Sequence, residues 1–528
     1  MNKKILLYVS VVIVAAAITA LSVFLIIRPT YPAELTPDPA YPTPTADPTD
    51  EDLLTFELPQ WFIDKYGDKD VLVWFIAEMA LVGFTDERLI AFNDALLERG
   101  ADFVLWFISP EGAFGVDDYQ FELQSYIERD NQVDLIFTGV ISTGVYGKSN
   151  SYRNAYHNGL LLPLDSIMPD TLKDTFTFTE KRWAAMRING EIYGFPTDPI
   201  YARVPTLEVK GDEVPEGITS DLSSLLPFLD SLDNQSDEYR LELLNHFEAV
   251  CNYLGYYYIG GGVAIDYEGQ AFNLFEDDAF NTYVATARQF VETGYIIPEP
   301  DPELPPLSAM VYIGSGGAGD VMSNLERKSY VIGDEFNILT ESSAVGIAKT
   351  SRHPEKALTL MSLLLSDREL ADLLVYGVSD IDYRLEDGIV FSQAPQFMTW
   401  CTGLYAFTSP SHSDVLAKGE VLDRYNEQAQ VCPITGFYFD DRGHEEAMLA
   451  LVEIVDAYVF PPIVETYNVG GEVVIISNLP THGILTGHEP NWANILAQLN
   501  TELKSAGIDA MVSEINGQYA EWHTIYGR

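Results

Sequence analysis

Carboxylates are the reactive groups present everywhere in this 528-residue chain: 79 aspartates and glutamates stand against 30 lysines and arginines, a formal charge of −49. Two carboxylates flanking a sugar linkage would make a glycosidase, but at this density pairs arise anywhere and no local pattern singles one out. Eight histidines are scattered without ligand-like spacing, and Cys251, Cys401 and Cys432 form no C-x-x-C. The sequence therefore predicts no metal centre and no disulfide scaffold. Cys401 and Cys432 could pair in an oxidising compartment, but three free thiols is the reading adopted. G-x-S-x-G, H-E-x-x-H, the P-loop and the EF-hand loop are absent from the sequence. One dinucleotide-type run occurs, Gly314-Ser-Gly316-Gly-Ala-Gly319, after the strand-like Met310–Ile313 and with Asp334 about 20 residues on. In a chain read as exported, away from any nicotinamide pool, this run is expected to be a flexible loop beside a cleft or at a lobe crossing. No cofactor is expected.

The other abundant chemistry is aromatic: 7 Trp, 30 Tyr and 27 Phe. Flat aromatic faces with hydroxyl and carboxylate neighbours are what a sugar site requires. Candidates are chosen by position. Glu78, Thr138 and Gly139 fall at strand ends, and Asp198 and Tyr201 follow a short strand at 190–197. Tyr257 precedes the glycine run 260–262. Tyr312, Gly314 and Ser315 belong to the glycine loop, and Tyr383 and Trp400 follow a helix pair. Trp74 and Trp106 sit mid-strand and are assigned to core.

These residues need elements to hold them. Apolar runs at Val71–Ile76, Phe103–Ile108 and Val133–Phe137 read as buried strands, and Asp86–Gly100 and Tyr119–Arg129 carry helical spacing. Alternation of this kind predicts βαβ units in a mostly parallel sheet, with ligands beyond the carboxyl ends of its strands. Helices are expected at 241–258, 280–293, 354–365, 367–376, 445–458 and 492–506. Residues 213–240, rich in Asp, Glu, Ser, Pro and Gly, read as a surface excursion. No internal repeat is visible.

The N-terminus indicates a location. Lys3 and Lys4 precede an uncharged run from Ile5 to Ile27, closed by Arg28. Such a run makes about 34 Å of helix, enough to cross a bilayer core of about 30 Å. An uncleaved anchor is expected, with everything after Arg28 outside the cytoplasm; a cleaved signal peptide is the alternative. Residues 29–51 hold seven prolines and no basic residue, and read as an extended spacer. The strong negative charge repels phosphate backbones and anionic lipid surfaces, so no nucleic acid partner is expected, and the membrane is met through the N-terminal helix alone.

Four groups of segments resemble a known family. Asp134-Leu-Ile-Phe-Thr-Gly139 leads to Asn158-Gly-Leu-Leu-Leu-Pro-Leu-Asp165, and Asn189-Gly-Glu-Ile-Tyr-Gly-Phe-Pro-Thr197 follows. Next come Arg352-His-Pro-Glu-Lys-Ala357, Ser366–Leu370, Leu374–Gly377 and Tyr383. Pro433–Asp440, Leu499–Asp509 and Glu514–Trp522 complete the set. In this order they resemble bacterial extracellular solute-binding proteins of family 1, the sugar-binding components of ABC importers. The closer likeness is to a branch that ends in a C-terminal domain of unknown function. The resemblance implies an α/β, two-lobed periplasmic-binding-protein-like fold (type II), with hinge strands and a ligand cleft, here preceded by an N-terminal transmembrane helix.

On this reading residues 1–28 are the anchor, 29–51 the linker, 52–200 lobe 1, 201–345 lobe 2, and 346–528 a helical region completing both lobes. The implied function is capture of a carbohydrate by lobe closure and delivery to ABC permease subunits, by a monomer with no catalytic activity. A surface-anchored glycan or peptide binder without transport, and a secreted glycan-active enzyme, are the alternatives. The lipid-anchoring cysteine of the branch is missing. Its Gly-Ile-Glu-Gly-Lys-His-Tyr is replaced by Gly377-Val-Ser-Asp-Ile-Asp-Tyr383, which removes a basic pair. Residues 469–490 read as an insertion.

Overall fold

The computed structural model describes residues 57–527 apart from 78–80, 82–83, 110–115, 139–151, 169–179, 198–201, 211–216, 220, 233–240, 245–246, 297–308, 316–326, 332–336, 339–343, 393–403, 405–406, 412–429, 460–463, 470–471 and 478–482. The anchor and spacer expected at 1–51, and Cys401, lie outside them. Among the described residues no helix is long and apolar enough to cross a membrane.

The first half of the chain runs α1 (Gln60–Tyr66), β1 (Asp70–Phe75), α2 (Asp86–Glu98), β2 (Phe103–Ile108), α3 (Val116–Glu128), β3 (Leu135–Thr138), α4 (Tyr152–His157) and α5 (Glu180–Met186). A hairpin of β4 (Arg187–Ile188) and β5 (Glu191–Ile192) then precedes β6 (Gly194–Pro196) and β7 (Ala202–Lys210). After α6 (Leu226–Leu232) come β8 (Leu241–Glu242), α7 (Phe247–Leu254), β9 (Tyr256–Gly260), β10 (Val263–Asp266), β11 (Ala271–Asn273) and α8 (Asp278–Glu292). Four strands follow, β12 (Ala309–Ser315), β13 (Arg327–Val331), β14 (Asn337–Ile338) and β15 (Ala344–Ile347), then α9 (Pro354–Ser366) and α10 (Arg368–Tyr376). The chain ends with the hairpin β16 (Tyr383–Glu386) and β17 (Ile389–Ser392), β18 (Gln430–Val431), α11 (Glu445–Val459), the hairpin β19 (Val464–Val469) and β20 (Glu472–Ser477), α12 (Trp492–Ala506) and α13 (Ile508–Tyr526).

Two cores account for this order. The first gathers residues 62–195 and 344–404, the second residues 207–296 and 432–522; they are called lobe 1 and lobe 2 below. The lobe 1 sheet has the order β2-β1-β3-β15-β6. β1 is parallel to β2 and β3, whereas β15 runs antiparallel to both β3 and β6. Continuous apolar runs suit strands covered on both faces, and Leu72, Val73, Trp74 and Phe75 are all buried. Helix starts follow the ordinary chemistry: the Thr85 side chain accepts from Arg88 N, and that of Asp367 from Leu370 N. Asp367 also pairs with Arg99 at 2.5 Å, which ties α10 to α2.

In lobe 2 the large sheet has the order β18-β14-β7-β12-β8, with β13 also on β7, and a smaller antiparallel sheet has the order β11-β10-β9. Three sequence expectations are corrected here, and one element is added. Residues 221–232 are no surface excursion: Leu222, Leu225 and Leu229 are buried in the lobe 2 core, since their spacing makes one apolar face. The helix expected over 241–258 covers only Phe247–Leu254, and Tyr256–Tyr258 begin a strand. Gly314 and Ser315 are strand residues paired with Val204 and Arg203, not part of a loop. A 19-residue final helix, α13, was not assigned as an element from the sequence. Within the expected insertion, Ile484 and Leu485 are buried in the same core. The Arg288 guanidinium there donates to Gly487 O at 3.2 Å.

A candidate cleft between the lobes

The sheet register locates the crossings between the lobes. Ala344, the first residue of β15, pairs with Thr138 on one side and Pro196 on the other. The chain thus leaves lobe 1 after Pro196 and returns at Ala344 at the same end, the carboxyl end of β1, β2 and β3. Lobe 2 lies beyond that end, where ligands of open α/β sheets bind.

Thr138 has a different task from the one expected of it. It is fully buried, and its hydroxyl donates to Ala344 O at 3.0 Å while accepting from Ala344 N at 2.9 Å. Both bonds hold the returning strand in register, so this hydroxyl belongs to the sheet rather than to a ligand. Asp134 performs a similar task at the other end of the strand. It accepts from Val73 N at 2.9 Å, Gln132 Nε2 at 2.7 Å and the Ser351 hydroxyl at 2.6 Å.

Apart from Tyr257, the remaining candidates separate into three groups. Glu78, Gly139, Asp198, Tyr201 and Trp400 lie outside the described residues. Tyr312, Gly314 and Ser315 are in β12, opposite Thr206, Val204 and Arg203. An antiparallel strand at Gly314 is not the strand-to-helix turn that a dinucleotide fingerprint requires. Tyr383 opens the β16–β17 hairpin in lobe 1, with its ring 5.8 Å from that of Tyr376. Burial, then the Asp372 carboxylate, raises its pKa.

Tyr257 lies at a contact between the lobes. The Arg153 guanidinium of α4 sits 5.2 Å from the Tyr257 ring centre and 5.9 Å from that of Tyr438, so one lobe 1 cation faces two lobe 2 aromatic rings. Such contacts contribute about 0.5–2 kcal/mol each, depending on desolvation. Tyr156, one helical turn on, packs edge-on against Tyr438 at 5.5 Å and against Tyr193 at 4.8 Å. Burial, with the Asp441 charge next, holds the Tyr438 phenol well above its ordinary pKa. Nothing in the sequence connects Arg153 with Tyr438. Tyr438 did fall within the quoted Pro433–Asp440 segment.

The neighbouring β4–β5 hairpin shows how the family-like segments cooperate. Asp165, the last residue of Leu-Pro-Leu-Asp, accepts from Ile192 N at 2.7 Å and from Arg187 Nη1 at 3.4 Å. Asn189 and Gly190 both have positive φ, 50° and 86°, as a two-residue hairpin turn demands. At this tip Asn189 N donates to Gly436 O of lobe 2 at 3.4 Å. A Cβ on Gly190 would lie 2.7 Å from Cε1 of Tyr526, at the end of α13. Glycine leaves room there for the Tyr526 ring.

A cluster with metal-ligating chemistry stands at the same contact. The ligand atoms of His157, Asp440 and Asp441 all lie within 4.8 Å of one another, with His157 Nε2 3.5 Å from Asp441 Oδ1. Arg442 forks onto Asp440, with Nε 2.7 and 2.9 Å from its two oxygens, and holds that carboxyl below the usual range. The sequence offered no spacing signal for this group, because its members come from distant segments.

Comparisons with known proteins follow this geometry. Residues 475–524 match the family model described as a domain of unknown function, DUF3502. No curated protein matches the chain. Among solved structures, the N-glycan transport solute binding protein of Streptococcus pneumoniae superposes with a TM-score of 0.64 at 17% identity, over 86% of this chain and 99% of that one. Its structure in complex with Man1GlcNAc gives 0.58 at 18%, over 86% and 99%. An extracellular solute-binding protein from Bifidobacterium longum subsp. infantis gives 0.56 at 10%, over 86% and 98%. The chain has the two-lobed, mixed α/β fold of solute-binding proteins.

Proposed function

We propose that this chain is an extracytoplasmic receptor that captures a carbohydrate, an oligosaccharide by preference, between its lobes and delivers it to an ABC importer. The observation that carries this reading is the shared end of lobe 1 at which Thr138, Pro196 and Ala344 meet. It brings the crossings and the carboxyl ends of the parallel strands to one end of lobe 1, in a fold whose solved likenesses are binding proteins rather than enzymes. One of those likenesses is in complex with Man1GlcNAc. Glu78, Gly139, Asp198 and Tyr201 adjoin the described strand ends in sequence and are assigned to the cleft on that ground. Tyr383 is a further candidate from lobe 1, and Trp400 is retained as one on its residue type alone.

Function on this reading is closure without catalysis. A ligand touching both lobes stabilises the closed state by its differential affinity for that state. The apolar run at 5–27 and the proline-rich spacer tether the receptor near its permease and raise its effective concentration. The strand order of lobe 1, with β15 between β3 and β6, supports the type II reading of the fold.

The test is a thermal-shift screen of the full chain in mild detergent against mono- and oligosaccharides, with product analysis of every hit. Ligand at about 100 times its dissociation constant adds about 2.7 kcal/mol of stability. A sugar that stabilises the protein and survives incubation intact is the expected result. Stabilisation by peptides alone would remove the carbohydrate assignment, and a consumed sugar would replace the receptor with an enzyme.

A further inference from the structure

The contact between α4 and the segment after Cys432 holds more chemistry than a cation facing two aromatic rings. We propose that His157, Asp440 and Asp441 bind a late first-row divalent cation, zinc being the representative, and that this ion ties lobe 1 to lobe 2. The donor set is one imidazole nitrogen and two carboxylates. That mixture suits zinc and its neighbours, whereas calcium and magnesium favour all-oxygen sets.

Geometry permits the site. Zinc bonds to nitrogen and oxygen of about 2.1 Å put ligand atoms roughly 3.0–3.5 Å apart. His157 Nε2 and Asp441 Oδ1 already stand 3.5 Å apart, and the full set lies within 4.8 Å. Closing the rest takes a rotation of the half-buried Asp440 side chain and leaves a position open to water.

Charge favours it too. With neutral imidazole the group of His157, Asp440, Asp441 and Arg442 carries one net negative charge, within a chain of −49. Asp441 is only 8% exposed, and a carboxylate removed from water gains from a dication in contact with it. Arg442 is exposed and is the rival: it grips Asp440 by a two-toothed contact. An incoming ion displaces this guanidinium into solvent. His157 belongs to lobe 1 and both aspartates to lobe 2, so the complete site exists only while the lobes touch here. The proposal does not depend on what the cleft binds.

The experiment is calorimetric titration of zinc into the full chain in detergent, after chelator treatment and with excess magnesium present to mask diffuse cation binding. One equivalent is expected to bind. His157→Ala and Asp441→Asn should each weaken binding by at least about tenfold, the scale on which metal sites respond to lost partners. Arg442→Ala should instead tighten it, a gain that misfolding cannot mimic. Cobalt substituted for zinc should show d–d bands that the His157→Ala variant lacks. Zinc binding that magnesium abolishes, or that is the same in wild type, His157→Ala and Asp441→Asn, overturns the site. An unchanged or weakened affinity in Arg442→Ala overturns the place given to Asp440.

Discussion

At the scale of single residues, the polar groups that hold lobe 1 together are fully committed. Asp134 is buried and accepts three hydrogen bonds, from Val73, Gln132 and Ser351. Asp134→Ala orphans a buried backbone N–H, and is expected to destabilise the protein by about 2–4 kcal/mol in denaturant unfolding. Asp456 on α11 shows the opposite case. Burial, with Glu453 beside it, pushes its carboxyl up to about 6. A carboxyl raised in the folded state binds its proton more tightly there than in the unfolded chain. Its contribution is therefore favourable at low pH and is lost as pH rises through about 6. Asp456→Asn should raise the denaturation midpoint at pH 7, with an advantage that fades by about pH 4. Burial likewise pushes the Cys432 thiol up to about 12, so it is a poor nucleophile. Residues of this kind were partly legible: Asp134 and Asp165 stood in segments singled out from the sequence, whereas Arg153 and His157 did not. An arginine in a short helix acquires meaning only from the two rings that another part of the chain brings to it.

At the scale of elements, the β4–β5 hairpin is the most exacting piece. It is bracketed by Asp165 on one side and by Gly436 and Tyr526 on the other. Gly190→Ala adds a side chain at a φ of 86° and drives it into the Tyr526 ring. A loss of about 1–3 kcal/mol is expected, combining left-handed strain with a clash. Repeating the substitution in a Tyr526→Ala background should recover the clash and leave the strain, a split that a double-mutant cycle measures. Elements were most legible where burial is symmetric. The unbroken apolar runs at β1, β2 and β3 name themselves, as do helices with Thr85 or Asp367 at their starts. Residues 221–232 failed because their polar composition hid the Leu222, Leu225 and Leu229 stripe. The strand at Tyr256 is masked in the sequence by the helical pattern that runs up to Gly255, although three consecutive tyrosines suit a strand better. The β7–β12 pairing could not be read at all, since register between distant strands has no local signature.

At the scale of the whole molecule, neither lobe is a continuous stretch of chain. Lobe 1 takes residues 62–195 and then 344–404, and lobe 2 takes 207–296 and then 432–522. The general architecture was legible because family-like segments occurred in order along the sequence. The meeting of the two crossings was legible only as strand ends, because Thr138, Pro196 and Ala344 come from separate passes of the chain. The placement of β15 has a kinetic consequence. Thr138 bonds to Ala344 across 206 residues of sequence, so this pairing has a very high contact order, and closing such a loop slows folding. Until residue 344 is in place, β3 and β6 each present a bare edge that can pair with another chain. β15 is a keystone set late: the lobe 1 sheet cannot finish before most of the chain has emerged, and the aggregation-prone interval lasts as long as that delay.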